Sequence, residues 1–175
     1  GARRVLQTVP SNGEGADKIP QVVYGINHKS IGAAHDVVSA ASCTTNSLIP
    51  VLYVLEKEFG IVHASITTVH AYTADQRLVD SAHTSVTRSR AAAVNIVPTS
   101  TGAASATAKV LPALAGKIDG FAVRVPVATG SCSDVTLEMK KAVSVEDVNA
   151  ALRKYADGEL VGILGVSEDP MVSSD

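Results

Sequence analysis

The stretch that most constrains the fold is Ser42-Cys43-Thr44-Thr45-Asn46, together with what flanks it. The β-branched pair Val37-Val38 precedes it, and the apolar run Leu48-Ile49-Pro50-Val51-Leu52-Tyr53-Val54-Leu55 follows, with a spacing that predicts a helix from Cys43 to about Phe59. Gly60 is a natural helix stop, and the β-branched segment from Ile61 to His70 is long enough for a central strand. The order is therefore strand, tight turn, helix, strand, with a cysteine in the first helical turn and a histidine at the end of the second strand.

That placement has chemical consequences. The first turn of a helix has unpaired N–H groups and a partial positive charge, which favour thiolate over thiol and can hold a developing oxyanion beside the sulfur. Ser42, Thr44 and Thr45 add hydroxyl donors suited to an anion. His70, on a strand end where the backbone is rigid and the side chain accessible, could meet Cys43 as nucleophile and base. The plain alternative is that Cys43 is a buried small hydrophobe, Ser42 an ordinary N-cap and His70 structural.

Around this centre the chain reads as follows. Val5–Pro10, Val22–Asn27 and Asp36–Ser39 are expected as three short strands with little helix between them, the last strands of an α/β sheet. From Ala71 to about Asn95 the sequence turns polar without a persistent period, a long loop of the kind that is usually functional. Gly102 and the hydroxyls before it open a small-residue helix, Ala103 to Leu114, whose start is a second anion site. Phe121–Pro126 is expected as a strand with Arg124 in its middle, a cation that is costly to bury without an anionic partner. Asp134–Lys140 alternates; Ser144 and Asp147 form a near capping box for a helix to about Tyr155; Gly162–Gly165 is expected as a last short strand. The order favours an α+β fold: a mixed, largely antiparallel sheet with helices on one face.

Composition narrows the function classes. A net charge of −2 gives no footprint for nucleic acid or an anionic membrane, and no apolar run approaches a membrane span, so a cytoplasmic protein is expected. Cys43 and Cys132 form neither a CxxC pair nor a zinc pattern. Gly1-Ala2-Arg3-Arg4 runs into a strand without a capping element, and the chain is expected to be a piece of a longer one.

Ala41-Ser42-Cys43-Thr44-Thr45-Asn46, Thr67-Thr68-Val69-His70-Ala71-Tyr72-Thr73, Ser100-Thr101-Gly102-Ala103-Ala104 and Ala122-Val123-Arg124-Val125-Pro126 together resemble phosphorylating glyceraldehyde-3-phosphate dehydrogenases, in order across nearly the whole chain. The resemblance implies residues 1–41 as the end of a Rossmann-type dinucleotide-binding domain and 42–175 as a catalytic domain, incomplete at its carboxy terminus. It implies Cys43 as nucleophile and His70 as base, with Thr73 and Arg124 on the substrate's phosphate. The attacking inorganic phosphate falls to Ser42, Thr44, Arg88, Thr101 and Gly102, and Thr8 matches a position near the nicotinamide. NAD or NADP is the implied cofactor, glyceraldehyde 3-phosphate the substrate and a homotetramer the assembly. Ser81-Ala82 is similar to the small residues of NADP-using members. Departures include Ser47 for a frequent second cysteine, Ala40 for a common asparagine, and Val127–Ser131, which resembles one subgroup. Without the Gly-rich dinucleotide cradle these residues alone are not expected to turn over. Competing readings are an erythrose-4-phosphate dehydrogenase, a cofactor-independent cysteine hydrolase, and a non-catalytic chain.

Overall fold

The structure is a computed structural model that describes all 175 residues. Strands β1 (Val5–Gln7) and β2 (Val37–Ser39) pair in parallel as a small two-stranded sheet, with Gln21 bridged to Ser39 at its edge. The strand expected at Val22–Asn27 is a turn instead. Gly25 adopts φ 87°, and the Asn27 side chain accepts from Val23 N–H and donates to Gln21 C=O, taking up backbone groups that a ladder would need.

Helix α1 (Cys43–Phe59) has the expected bounds, with Ser42 as N-cap accepting from Thr45 N–H and Gly60 closing it at φ 75°. Strand β3 (Ile61–Ala71) follows, then the long loop, which folds back on itself through hydrogen bonds between Arg77 and Arg88 and between Ala92 and Arg77. Next come β4 (Val97–Ser100) and α2 (Ala103–Val110), which stops short of the expected Leu114. Pro112 supplies no N–H and drives Leu111 out of helical conformation, leaving a single 3₁₀ turn at Pro112–Leu114. Strands β5 (Ile118–Val125) and β6 (Ser131–Met139) and helix α3 (Val145–Ala156) complete the fold, α3 opening with the capping box of Ser144 and Asp147. Gly162–Gly165 is not a strand; Ile163 and Leu164 N–H groups close turns onto Leu160 C=O, and both side chains pack beneath α1 and α3.

The main sheet runs β4-β5-β3-β6, with β3 and β5 parallel and the outer pairs antiparallel, so it is mixed with two of its three pairings antiparallel. Its core face meets α1: Leu48, Leu52 and Leu55 interlock with Ile61, Ala64 and Ile66, while Val135 and Leu137 of β6 close the edge. Helix α3 packs on the outside of α1 through Val54, Ala151 and Tyr155. The other sheet face is open, with Val69 and Phe121 exposed. No helix is long and apolar enough to cross a membrane.

One backbone contact sets a test. Gly120 sits opposite Ile66 in the parallel pair, and a Cβ built on it would lie 2.3 Å from Ile66 C=O. Gly120→Ala is expected to destabilise the fold by about 2 kcal/mol or more in urea titration, because backbone rather than a flexible side chain must yield.

Candidate active site

The parallel register of β3 and β5 places His70 beside Arg124 on the core face, just past the end of the hydrophobic layer. α1 packs on that same face and delivers its first residue there: Cys43 Sγ lies 3.4 Å from His70 Nε2. On the ring's other side, Nδ1 is 2.7 Å from Ala71 C=O and 3.2 Å from Arg124 Nη1. The carbonyl is the shorter contact and only accepts, so we assign the proton to Nδ1, which turns the Nε2 lone pair toward the sulfur.

The joint feeding α1 is built with strain. Ala41 is buried at φ 58°, a left-handed conformation costing a non-glycine residue roughly 1–2 kcal/mol, and it stands two residues before the cysteine. Ser39 Oγ accepts from Ala41 N–H, and the Asn46 side chain donates to both Ala40 and Ser42 C=O at 2.8 and 2.9 Å.

Arg124 is half-buried and has no carboxylate partner. Its Nη1 donates to Ala71 C=O at 3.1 Å and Thr73 Oγ1 at 3.3 Å, and its Nε has no partner. Burial, followed by the nearby Arg88 charge, pushes its guanidinium below the usual arginine range, opposed by Cys43 and Asp75. Arg88 differs: it ion-pairs with Asp75, donates from Nε to Thr99 Oγ1 at 2.9 Å and reaches Ser100 C=O.

A cavity of about 300 Å³ joins these groups, lined by Ser42, Cys43, Thr44, His70, Arg88, Thr101, Gly102 and Arg124. Eight of the ten residues singled out in the sequence thus share one cleft. Thr73 is tied to it through Arg124, and Thr8 is exposed beyond it, on the segment that leads to lining residues Pro10, Ser11 and Asn12. Thr45, expected to offer a hydroxyl, is fully buried with its Oγ1 bonded to Ser42 Oγ, so it supports the cap. Thr101 Oγ1 accepts from Ala103 N–H at 3.2 Å and takes up part of the α2 start.

Sequence reasoning passed over Gln21, Ser105 and Lys109, which also line the cleft, as well as Asp75 and Thr99, which hold Arg88. None belongs to a local motif. Only the isolated polarity of Gln21 between Pro20 and Val22-Val23 marked it.

A thiol and an imidazole within 3.4 Å at the mouth of a mixed sheet, with two helix starts and two arginines around them, form a cleft whose groups suit thiol chemistry and anions. The glyceraldehyde 3-phosphate dehydrogenase, C-terminal domain, family model matches residues 42–175, and the chain belongs to that family. It is 51% identical over its full length to glyceraldehyde-3-phosphate dehydrogenase of Mycobacterium avium, covering 50% of that protein. It is 52% identical to the chloroplastic glyceraldehyde-3-phosphate dehydrogenase B of Pisum sativum, covering 39% of it, and 51% identical to the enzyme of Haloarcula vallismortis, covering 51%. The chain spans about half the length or less of these curated relatives.

The geometry makes a direct prediction about the two thiols, both of which are exposed. Iodoacetamide is expected to modify Cys43 faster than Cys132 near neutral pH. His70→Asn should slow the Cys43 reaction by roughly tenfold or more without changing Cys132, read site by site by mass spectrometry.

Proposed function

We propose that the protein is a phosphorylating glyceraldehyde-3-phosphate dehydrogenase, oxidising the aldehyde with NAD or NADP and inorganic phosphate to the acyl phosphate. The observation that carries this reading is Arg124: a half-buried cation without a counter-ion, beside a Cys–His pair at 3.4 Å, in a cleft that calls for an anion.

In this reading His70 Nε2 takes the Cys43 thiol proton, the thiolate attacks the aldehyde carbon, and the proton passes from Nε2 to the new alkoxide to give a thiohemiacetal, while Arg124 and Thr73 hold the substrate's own phosphate. His70 Nε2 takes the thiohemiacetal hydroxyl proton as the carbon loses hydride, leaving a thioester on Cys43 and a protonated imidazole. Bound nicotinamide supplies the hydride acceptor, which no side chain can. A second phosphate, held by Ser42, Thr44, Arg88, Thr101 and Gly102, then attacks the thioester carbonyl, and the Cys43 thiolate leaves. Release of phosphate from the first site needs no change in Arg88, whose charge is already balanced by Asp75. Thr8, exposed on the segment after β1 that leads to Pro10 and Ser11, is the residue this reading assigns to the neighbourhood of the nicotinamide. Ser81-Ala82 supports NADP or dual use, the open sheet face with exposed Phe121 supports assembly into a homotetramer, and the net charge of −2 supports a cytoplasmic enzyme that binds neither nucleic acid nor membrane.

The test is dinucleotide reduction by the full-length protein with glyceraldehyde 3-phosphate, with and without inorganic phosphate, comparing NAD with NADP. Rapid turnover should require phosphate and be lost in Cys43→Ser. Arg124→Leu is expected to raise KM for the aldehyde roughly ten- to hundredfold, the worth of a charge-assisted hydrogen-bond pair. Preference for erythrose 4-phosphate, or cofactor-free hydrolysis of thioesters, would overturn the reading in favour of its rivals.

A further inference from the structure

We propose that His83 is a positioning residue that keeps Arg88 partly open to inorganic phosphate by holding one oxygen of Asp75 away from it. The inference deepens the dehydrogenase reading above and rests on it. Asp75 faces its two partners with different oxygens: Oδ2 takes Arg88 Nη1, while Oδ1 lies 3.8 Å from His83 Nε2. The carboxylate therefore engages the guanidinium through one oxygen only, although arginine and carboxylate pair most strongly through two.

The imidazole is set for this role. Its Nδ1 accepts from Ser85 N–H at 2.8 Å, so the proton of the neutral ring is on Nε2, the atom nearest Asp75. At 3.8 Å the contact is longer than a formed hydrogen bond, but the His83 side chain is only 13% exposed. In such surroundings an N–H dipole attracts a carboxylate oxygen with little screening. The doubled loop fixes the geometry: Arg77 donates from its backbone N–H to Arg88 C=O and from Nε to Ala82 C=O, and Ser81 N–H donates to Ser89 C=O. The segment of His83 is thereby held against that of Arg88, and the loop's other charges, Asp80 and Arg90, pair with each other.

One end of the Arg88 fork is left over. Nε is bonded to Thr99 Oγ1 at 2.9 Å and Nη1 to Asp75, whereas Nη2 has only a 3.4 Å contact with Ser100 C=O. Arg88 lines the cleft together with Ser42, Thr44, Thr101 and Gly102, so Nη2 is the guanidinium group left for a phosphate oxygen there. Asp75 is more than half exposed; without the imidazole it is free to turn its second oxygen onto Nη2 and close the fork. His83 thus acts on phosphate affinity through Asp75, touching neither the phosphate nor Cys43.

The experiment is steady-state kinetics of the full-length protein with glyceraldehyde 3-phosphate and NAD or NADP, titrating inorganic phosphate. His83→Asn keeps an acceptor for Ser85 N–H but is too short to reach Asp75. It is expected to raise KM for phosphate roughly three- to tenfold, the worth of one hydrogen bond. The rate at saturating phosphate, KM for the aldehyde and the alkylation rate of Cys43 should not move. His83→Gln, whose longer amide presents an N–H to Asp75, should largely restore KM for phosphate. Beside Asp75→Asn, His83→Asn should add nothing, because no second carboxylate oxygen remains to close the fork. An unchanged phosphate KM in His83→Asn, an equal loss in His83→Gln, or an effect undiminished beside Asp75→Asn would overturn the proposal. So would weakening of phosphate and aldehyde together, which marks a general loosening of the loop. If His83→Asn folds poorly, Asp75→Asn alone decides: with the competing carboxylate gone, KM for phosphate should fall, and any other result would overturn the proposal. Aldehyde oxidation that needs no phosphate in the wild type would remove the dehydrogenase reading itself, and this inference with it.

Discussion

The parallel pairing of β3 with β5 is the constraint on which the rest depends. Side chains alternate across a strand, so a slip of one residue in either strand would carry His70 or Arg124 to the open face and separate the pair. What fixes the register is the hydrophobic layer below: Ala64, Ile66 and Thr68 share the face of His70, and Leu52 and Leu55 of α1 lock onto the first two. The core and the site are thus successive rows of one surface. Because α1 both packs on those rows and begins at Cys43, the packing that stabilises the sheet also sets the Sγ to Nε2 distance.

The two arginines show how the same residue type is put to different uses by its surroundings. Arg88, with Asp75, Thr99 and Ser100 around it, is neutralised and oriented before any ligand arrives. Arg124 is satisfied only in part, by a carbonyl and a hydroxyl, and its desolvated charge has no partner. A protein interior does not keep such a charge for stability, since a packed apolar group would serve better there. In the proposed reading that unpaired charge is the one a substrate phosphate would meet, whereas Arg88 is already balanced by Asp75.

Much of this was legible in the sequence because the signals were local. The bounds of α1 follow from a cap at Ser42, an apolar period and a glycine at position 60, all within one stretch. Cys43, His70 and Arg124 could be singled out because a helix start, a strand end and an isolated charge are visible without knowing the fold. The misses are non-local or side-chain driven. Val22–Asn27 has strand composition, but Asn27 captures its backbone groups; Ile163 and Leu164 are apolar because they cover Val54 and Tyr155, not because they join a sheet. Gln21 and Lys109 reach the cleft from segments far apart in sequence, and the freedom of one arginine against the pairing of the other rests on Asp75, an unremarkable loop residue until it is seen beside Arg88.

The residues on the two sides of position 41 are tied together by hydrogen bonds around the start of α1. Ala40 N–H donates to Gln7 C=O at 2.7 Å, Ser39 Oγ accepts from Ala41 N–H while donating to Val9 C=O, and Asn46 clamps the same turn from the helix side. The strained conformation of Ala41 persists because it is held from both directions, and Cys43 inherits its position from that balance. The cleft is likewise shared, with Pro10, Ser11 and Gln21 forming a neutral wall and β3, β5 and α2 the wall that carries His70, Arg124 and the start of α2. A change in β1 or β2 therefore reaches Cys43 through a few hydrogen bonds, so the position of that thiol depends on the first 41 residues as well as on α1.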